Sequence, residues 1–175
     1  MRVVAGQFKG RRLHAPTGAA TRPTADRVRE AIFSILGPLD GERVLDLFAG
    51  SGALGIEALS RGADEALFVD SSPRALAAIR RNLEAVGVEA ALHRRDAVAY
   101  LRAASDGPFD LVFLDPPYSS ASELAAELSK LLPAVLSEDG LIVTESDKRN
   151  PLTLTLPLAD ERVYGDTRIA IHRAA

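Results

Sequence analysis

Val44-Leu45-Asp46-Leu47-Phe48-Ala49-Gly50-Ser51-Gly52-Ala53-Leu54-Gly55 is the stretch from which the fold can be read. A short apolar run is followed by G-x-G-x-x-G at positions 50, 52 and 55, and this spacing belongs to a strand that turns sharply into a helix. Glycines let the backbone turn there and come close to a ligand at the helix tip. Alone the pattern is weak, because glycines also end strands for structural reasons. Its neighbours strengthen it. Asp70, twenty positions after Gly50, ends a second β-rich run, where a carboxylate can accept hydrogen bonds from ribose hydroxyls. The loop therefore reads as a nucleoside site.

Working outward, β-rich runs at 44–48, 66–70, 90–94, 109–115 and 141–145 alternate with helical patterns. Such alternation predicts βαβ units and a mostly parallel sheet with helices on both faces. One helix is capped by Ser72, opens at Pro73, carries Leu76, Ile79, Leu83 and Val86 on one face, and stops at Gly87. Another is predicted over 24–36, with Val28, Ala31, Ile32, Ile35 and Leu36 as its buried stripe. The ends depart from the alternation. Residues 2–5 with 12–14, and 162–164 with 167–172, each read as a hairpin. The predicted organisation is a basic N-terminal hairpin arm, 1–22, on a single globular unit, 23–175.

Asp46, inside the first strand, separates one nucleoside ligand from another. A carboxylate there suits the ammonium end of an amino-acid cofactor and is a poor neighbour for a pyrophosphate. With Asp96 beyond the third run, this favours S-adenosylmethionine over a nicotinamide dinucleotide. Asp96 has an equal claim as the N-cap of the helix through Val98, Tyr100 and Leu101.

The fourth run, Phe109-Asp110-Leu111-Val112-Phe113-Leu114, delivers Asp115-Pro116-Pro117-Tyr118 at its carboxyl end, where open α/β sheets place their ligands. The prolines make a rigid bracket. An exocyclic amine of a base is a poor nucleophile because its lone pair is delocalised into the ring. The Asp115 carboxylate and the Pro116 carbonyl can grip its N–H groups and aim that lone pair at a methyl sulfonium, with Tyr118 stacked on a base drawn out of its helix or loop. As Pro-Pro alone, the run would be a turn after a buried strand. Following a nucleoside loop on the same sheet, it reads as a catalytic clamp.

The chain has 175 residues and a formal charge of −3. That length is enough for one core without staples. The absence of cysteine removes disulfide frameworks, zinc ribbons, iron–sulfur clusters and thiol nucleophiles. The histidines His14, His93 and His172 lack metal-ligand spacing, and no metal is expected. No apolar stretch approaches a bilayer span, so a soluble cytoplasmic protein is expected. Charge is unevenly placed: residues 1–30 carry +5 and the remainder −8. A basic head on an acidic body is the distribution a polyanion partner needs, and equally that of a solvated surface.

Three groups of residues together resemble a known family: Asp46-Leu47-Phe48-Ala49-Gly50-Ser51-Gly52, Asp115-Pro116-Pro117-Tyr118, and the N-terminal pattern Arg2-Val3-Val4-Ala5-Gly6, Gly10-Arg11-Arg12-Leu13 and Arg22-Pro23-Thr24. The chain is similar over essentially its whole length, including Tyr164-Gly165-Asp166-Thr167, to the bacterial 16S rRNA guanine-N2 methyltransferases of the RsmD type. The first two motifs are common to many amino-directed methyltransferases; the N-terminal pattern carries the family specificity. The resemblance implies a Rossmann-like class I methyltransferase with a seven-stranded sheet. It also implies S-adenosylmethionine as donor and S-adenosylhomocysteine as product, and one guanine of 16S rRNA, in an assembling small subunit, as target of a monomeric enzyme. It places Asp46, Phe48, Ala49, Gly50, Ser51, Gly52, Asp70, Ser71, Asp96 and Ala97 at the cofactor, and Asp115, Pro116, Pro117 and Tyr118 at the amine. Lys9, Arg11, Arg12, Arg22 and Arg27 would meet RNA. An adenine-N6 methyltransferase on DNA or RNA uses the same clamp and stays open, as do, more remotely, an NAD-binding oxidoreductase and a non-catalytic RNA-binding module. If residues 1–14 form a separate arm, deleting them should abolish RNA binding and spare cofactor binding.

Overall fold

A computed structural model of the chain describes residues 1–18, 26–117 and 121–174. Chain order is α1 (Asp26–Leu36), β1 (Arg43–Leu47), α2 (Ala53–Ser60), β2 (Glu65–Asp70), α3 (Pro73–Val86), β3 (Ala91–Arg94), α4 (Ala97–Ala103), β4 (Phe109–Leu114), α5 (Ala121–Leu131), a 3-10 turn (Leu132–Val135), β5 (Leu136–Asp147), β6 (Leu158–Tyr164) and β7 (Thr167–Arg173). The seven strands form one sheet in the order β3-β2-β1-β4-β5-β7-β6. The pairs among β1 to β5 are parallel, and β7 lies antiparallel between β5 and β6.

Two-residue periodicity sends alternate side chains of each central strand into different cores. Val44, Phe68, Leu111 and Phe113 pack with Ile32 and Phe33 of α1, Ile56 of α2 and Ile79 and Leu83 of α3. Leu45, Leu47, Val69, Val112 and Leu114 pack with Tyr100 and Leu101 of α4 and Leu128 of α5. Helices therefore cover both faces, as the alternating pattern predicts. The caps also follow the sequence. The Ala75 N–H donates to Ser72 Oγ at 3.4 Å, Pro73 opens α3, and Gly87 closes it in the left-handed region at φ 75°.

Two elements differ from expectation. The fifth strand extends from Leu136 to Asp147, well past 141–145, because β7 pairs with it from Leu141 to Asp147 and a register shift lets Leu136 rejoin Phe109. The N-terminal segments pair only briefly: one antiparallel bridge joins Arg2 with Arg12, and the Val3, Gly10 and Leu13 N–H groups donate to the carbonyls of Arg11, Val3 and Met1 at 2.9, 2.9 and 3.0 Å. The donors not used in this pairing turn to α2. The Val4 and Ala5 N–H groups donate to the two oxygens of Glu57 at 2.8 and 2.9 Å, and the Phe8 N–H to Ser60 Oγ at 2.9 Å. Val3 and Leu13, 2% and 3% exposed, belong to the core beneath α1, α2 and α3. The division expected at residue 22 and the helix start at residue 24 lie outside the described residues.

Candidate active site

β1 sits where the strand order reverses, with β2 on one side and β4 on the other. In open α/β sheets this switch point is where ligands bind. The register builds the site's rim. Leu47 lies opposite Val69 and Leu114, so Phe48, Asp70 and Asp115 leave three adjacent strands at one edge. Asp70 pairs with Arg94, which brings Asp96 to the same edge.

The loop after β1 is tightly wound. Phe48 has φ 59°, a conformation a bulky side chain adopts only when its surroundings impose it. The Ala49 N–H donates to the Val69 carbonyl at 3.1 Å, and the Gly52 N–H reaches back to the Ala49 carbonyl at 2.7 Å. Gly52 needs its positive φ of 75° as well as its missing side chain, since a Cβ would lie 3.2 Å from Phe68 and Ile79. At Gly55 the reason is close approach alone: a Cβ would stand 2.3 Å from the buried Phe68 ring. At Gly50 the nearest atom to such a Cβ is the Phe48 carbonyl oxygen, 3.9 Å away, so the loop's outer side is open.

Two carboxylates hold this loop. Asp70 Oδ2 accepts from the Gly50 N–H at 2.9 Å and Oδ1 from the Ser72 N–H at 2.8 Å, so it fixes both loops while remaining partly exposed. Asp46 is 2% exposed and accepts from the Gly55 N–H at 3.0 Å. Burial pushes its pKa up to about 8; the Gly55 hydrogen bond opposes the shift and the nearby Asp70 charge adds to it. A cationic ligand group placed beside it would restore the ionised form. Ser71 is exposed on the same rim, and Ala97 is buried. Asp96 caps α4 through Oδ1, which accepts from Ala99 N–H at 3.0 Å, while its exposed carboxylate stays on the rim. Capping and a rim role are therefore compatible.

Asp115 is partly exposed, Pro116 buried and Pro117 exposed; Tyr118 lies outside the described residues. Of the basic candidates, Lys9, Arg11 and Arg12 are exposed around the turn at Gly10, and Arg27 is exposed on α1. Arg22 lies outside the described residues.

The motif reading passed over three residues. Asn82 of α3 is fully buried and joins two parts of the site: its Nδ2 donates to the carbonyls of His14 and Ser51, both at 2.9 Å, and its Oδ1 accepts from the His14 N–H at 2.8 Å. A polar residue inside the stripe of Ile79, Leu83 and Val86 was the available signal. Glu57, 1% exposed, carries Val4 and Ala5 and pairs with Arg61 at 2.8 Å. Glu145, 5% exposed, follows Thr144, the partner of Leu114, so it stands beside Asp115 in the sheet. An acid directly after the run Leu141-Ile142-Val143-Thr144 was its signal.

The model of the conserved hypothetical protein 95 family matches residues 1–173. The chain belongs to that family. It is 44% identical over 182 residues to the Bacillus subtilis protein named "Putative rRNA methyltransferase YlbH", covering 99% of this chain and 98% of the relative. It is 35% identical over 181 residues to Escherichia coli ribosomal RNA small subunit methyltransferase D, covering 99% and 89%. A solved structure of a hypothetical protein from Thermus thermophilus superposes with a TM-score of 0.84 at 31% identity, over 99% of both chains. The family is the RsmD type that the motifs resemble, and its fold is that of class I methyltransferases.

Proposed function

We propose that this member of the conserved hypothetical protein 95 family transfers a methyl group from S-adenosylmethionine to the exocyclic N2 amine of one guanine in 16S rRNA. It would do so as a cytoplasmic monomer acting on an assembling small subunit. The observation that carries the reading is the adjacency of the glycine loop after β1 and Asp115-Pro116-Pro117 after β4, set by the Leu47 to Leu114 register. The names of the Bacillus and Escherichia relatives support rRNA methylation as the activity.

The residues fit the donor. Asp46 offers a buried carboxylate for an ammonium group, Gly50 an open backbone approach, and Asp70 a partly exposed carboxylate for ribose hydroxyls. Phe48, Ala49, Ser51 and Gly52 wall the approach, with Ser71, Asp96 and Ala97 toward the adenine. Bound S-adenosylmethionine supplies an electrophilic methyl on sulfur and departs as S-adenosylhomocysteine.

The rest is done by the chain. Asp115 and the Pro116 carbonyl accept the amine's two N–H bonds and turn its lone pair toward the methyl carbon. With S-adenosylmethionine bound, the nitrogen–carbon bond would form as the carbon–sulfur bond breaks, leaving that electron pair on sulfur. The nitrogen sheds its extra proton through Asp115 to water. Orientation supplies most of the acceleration, because the amine needs no strong base once its lone pair is aligned. Tyr118 would stack on the base. Lys9, Arg11, Arg12, Arg22 and Arg27 would hold the RNA backbone, and no metal takes part.

Labelled methyl transfer into naked 16S rRNA and into partly assembled small subunits, followed by nucleoside analysis, tests the reading. N2-methylguanosine is expected. N6-methyladenosine would keep the clamp and overturn the target; no incorporation into either substrate would overturn the activity.

A further inference from the structure

The arginines of the body fall into two populations. Several are matched with acids: Arg43 at the start of β1 with Glu65 at 2.8 Å, Arg102 of α4 with Glu127 of α5, Arg162 of β6 with Asp160 at 3.1 Å and the largely covered Arg168 of β7 with Glu161 at 2.7 Å. By contrast Arg74, Arg80 and Arg81 on α3, Arg94 and Arg95 where β3 ends, and Arg173 at the end of β7 are exposed and make no ion pair among the described residues. Unmatched cations raise the local positive potential, whereas a paired surface gains little from its charges.

Four of these, Arg74, Arg81, Arg94 and Arg95, lie on the side of the N-terminal segment. His14 is tied to Asn82, and a Cβ on Gly18 would lie 3.1 Å from the Arg74 guanidinium, so residues 14–18 run along α3 from its last turns back to its start. Arg74 and Arg81 are seven positions apart, about 20° on a helix of 100° per residue, and so share the flank beside this segment. Arg94 and Arg95 continue to the rim bearing Asp70 and Asp96.

Building on the rRNA reading above, we propose that Arg74, Arg81, Arg94 and Arg95 form a second phosphate-binding surface. It would lead an RNA strand from Lys9, Arg11 and Arg12 along α3 to the cofactor edge. The acidic total of the body does not by itself oppose this, because part of its negative charge is paired with Arg43, Arg102, Arg162 and Arg168, while Asp70 and Asp96 at the end of the track are held by backbone N–H donors. RNA backbone is the fitting partner because the track has cations spaced along it and no apolar floor on which a protein segment would bury area.

The test is a salt titration of binding between a 16S rRNA fragment and the full chain, for the native protein and for Arg74→Ala/Arg81→Ala/Arg94→Ala. Loss of three phosphate contacts should flatten the plot of log affinity against log salt by about 2 units, at about 0.7 per contact for single-stranded RNA. If the lines meet near 1 M salt, affinity at 0.1 M falls roughly hundredfold. The triple lysine variant should recover most of the slope, because charge rather than guanidinium shape does the work. S-adenosylhomocysteine affinity and the melting curve should not move. Unchanged slope and affinity in the alanine variant, with the native protein still methylating RNA, would overturn this surface and leave the rRNA reading standing. Absence of RNA binding by the native protein would overturn both.

Discussion

Asn82→Ala tests whether the N-terminal segment and the cofactor loop are one structure. The substitution removes one acceptor and two donors from a fully buried position and orphans the His14 N–H, the His14 carbonyl and the Ser51 carbonyl. Each lost bond costs about 0.5 to 1.5 kcal/mol, and unsatisfied buried partners push toward the upper figure. The expected destabilisation is therefore about 2 to 4 kcal/mol. A domain of ordinary stability survives that loss, so the variant can be assayed folded. With a urea slope of about 2 kcal/mol/M, the midpoint should fall by about 1 to 2 M. Because Ser51 is released with His14, S-adenosylhomocysteine should bind roughly tenfold more weakly, a loss of about 1.4 kcal/mol. Asn82→Asp should be worse than alanine at neutral pH, since it turns a carboxylate oxygen toward two carbonyl oxygens, and should recover on acidification. Glu84→Ala, exposed on the same helix, should shift stability by less than about 0.5 kcal/mol. If Asn82→Ala behaved like Glu84→Ala by urea titration and calorimetry, the joint between segment and loop would be refuted.

Other consequences follow from the same geometry. Asp115→Ala should leave S-adenosylhomocysteine affinity nearly intact while methyl transfer falls by about a hundredfold or more, since one positioning acceptor is removed; parallel loss of both would refute the division between clamp and cofactor loop. Asp46 holds its proton up to about pH 8 in the free protein. A ligand ammonium that ionises it must release that proton, so affinity should rise with pH between 6 and 8 by at most tenfold per unit, and Asp46→Asn should flatten the rise; calorimetry in two buffers of different ionisation enthalpy counts the proton. For stability the sign is opposite to that of an ordinary ion-paired acid. The folded pKa is raised, so the folded state holds more protons than the unfolded and stability falls as pH climbs from about 4 to about 8. Gly55→Ala should cost about 1 to 3 kcal/mol by thermal melting, because its methyl would meet the Phe68 ring at 2.3 Å inside the core.

Legibility in the sequence depended on whether a feature is local. The glycine loop, the Ser72 cap, the Gly87 stop and the β-rich runs of β1, β2 and β4 are written in neighbouring residues and emerged as read. The length of β5 was hidden because it depends on pairing with β7, some twenty-five residues away in sequence. The grips of Glu57 and Asn82 were hidden for the same reason: the backbone groups they hold lie 31 to 68 positions away, and no periodicity encodes them. The N-terminal hairpin is the instructive middle case. Its cross-strand backbone bonds form, from Val3 to Arg11, Gly10 to Val3 and Leu13 to Met1, while the remaining donors of Val4, Ala5 and Phe8 go to Glu57 and Ser60; that docking onto α2 is what the local sequence does not encode.

That docking changes what a deletion of residues 1–14 would do. A separable arm predicts loss of RNA binding alone. The structure instead buries Val3 and Leu13 in the core shared by α1, α2 and α3, and makes Met1 a neighbour of the glycine loop after β1 through the Ser51 hydroxyl, 3.8 Å from its sulfur. Truncation strips Glu57 of two of its hydrogen-bond donors and leaves that carboxylate buried with Arg61 and Arg29. Removing two buried aliphatic side chains costs about 2 to 5 kcal/mol each in comparable cores, which approaches the whole stability of a domain. The truncated chain should therefore lose S-adenosylhomocysteine binding together with RNA binding and show no cooperative melt at physiological temperature. A truncated protein that melts cooperatively and binds S-adenosylhomocysteine at native affinity would show that these contacts decorate the fold and do not complete it. Gly6→Ala is the milder form of the same test. A Cβ there would stand 1.7 Å from the Ser60 carbonyl oxygen, so the segment must lift from α2 while every apolar side chain remains in the chain. Weaker cofactor binding in that variant, with the melt still cooperative, would place the effect in the docking of the segment and not in the loss of core volume.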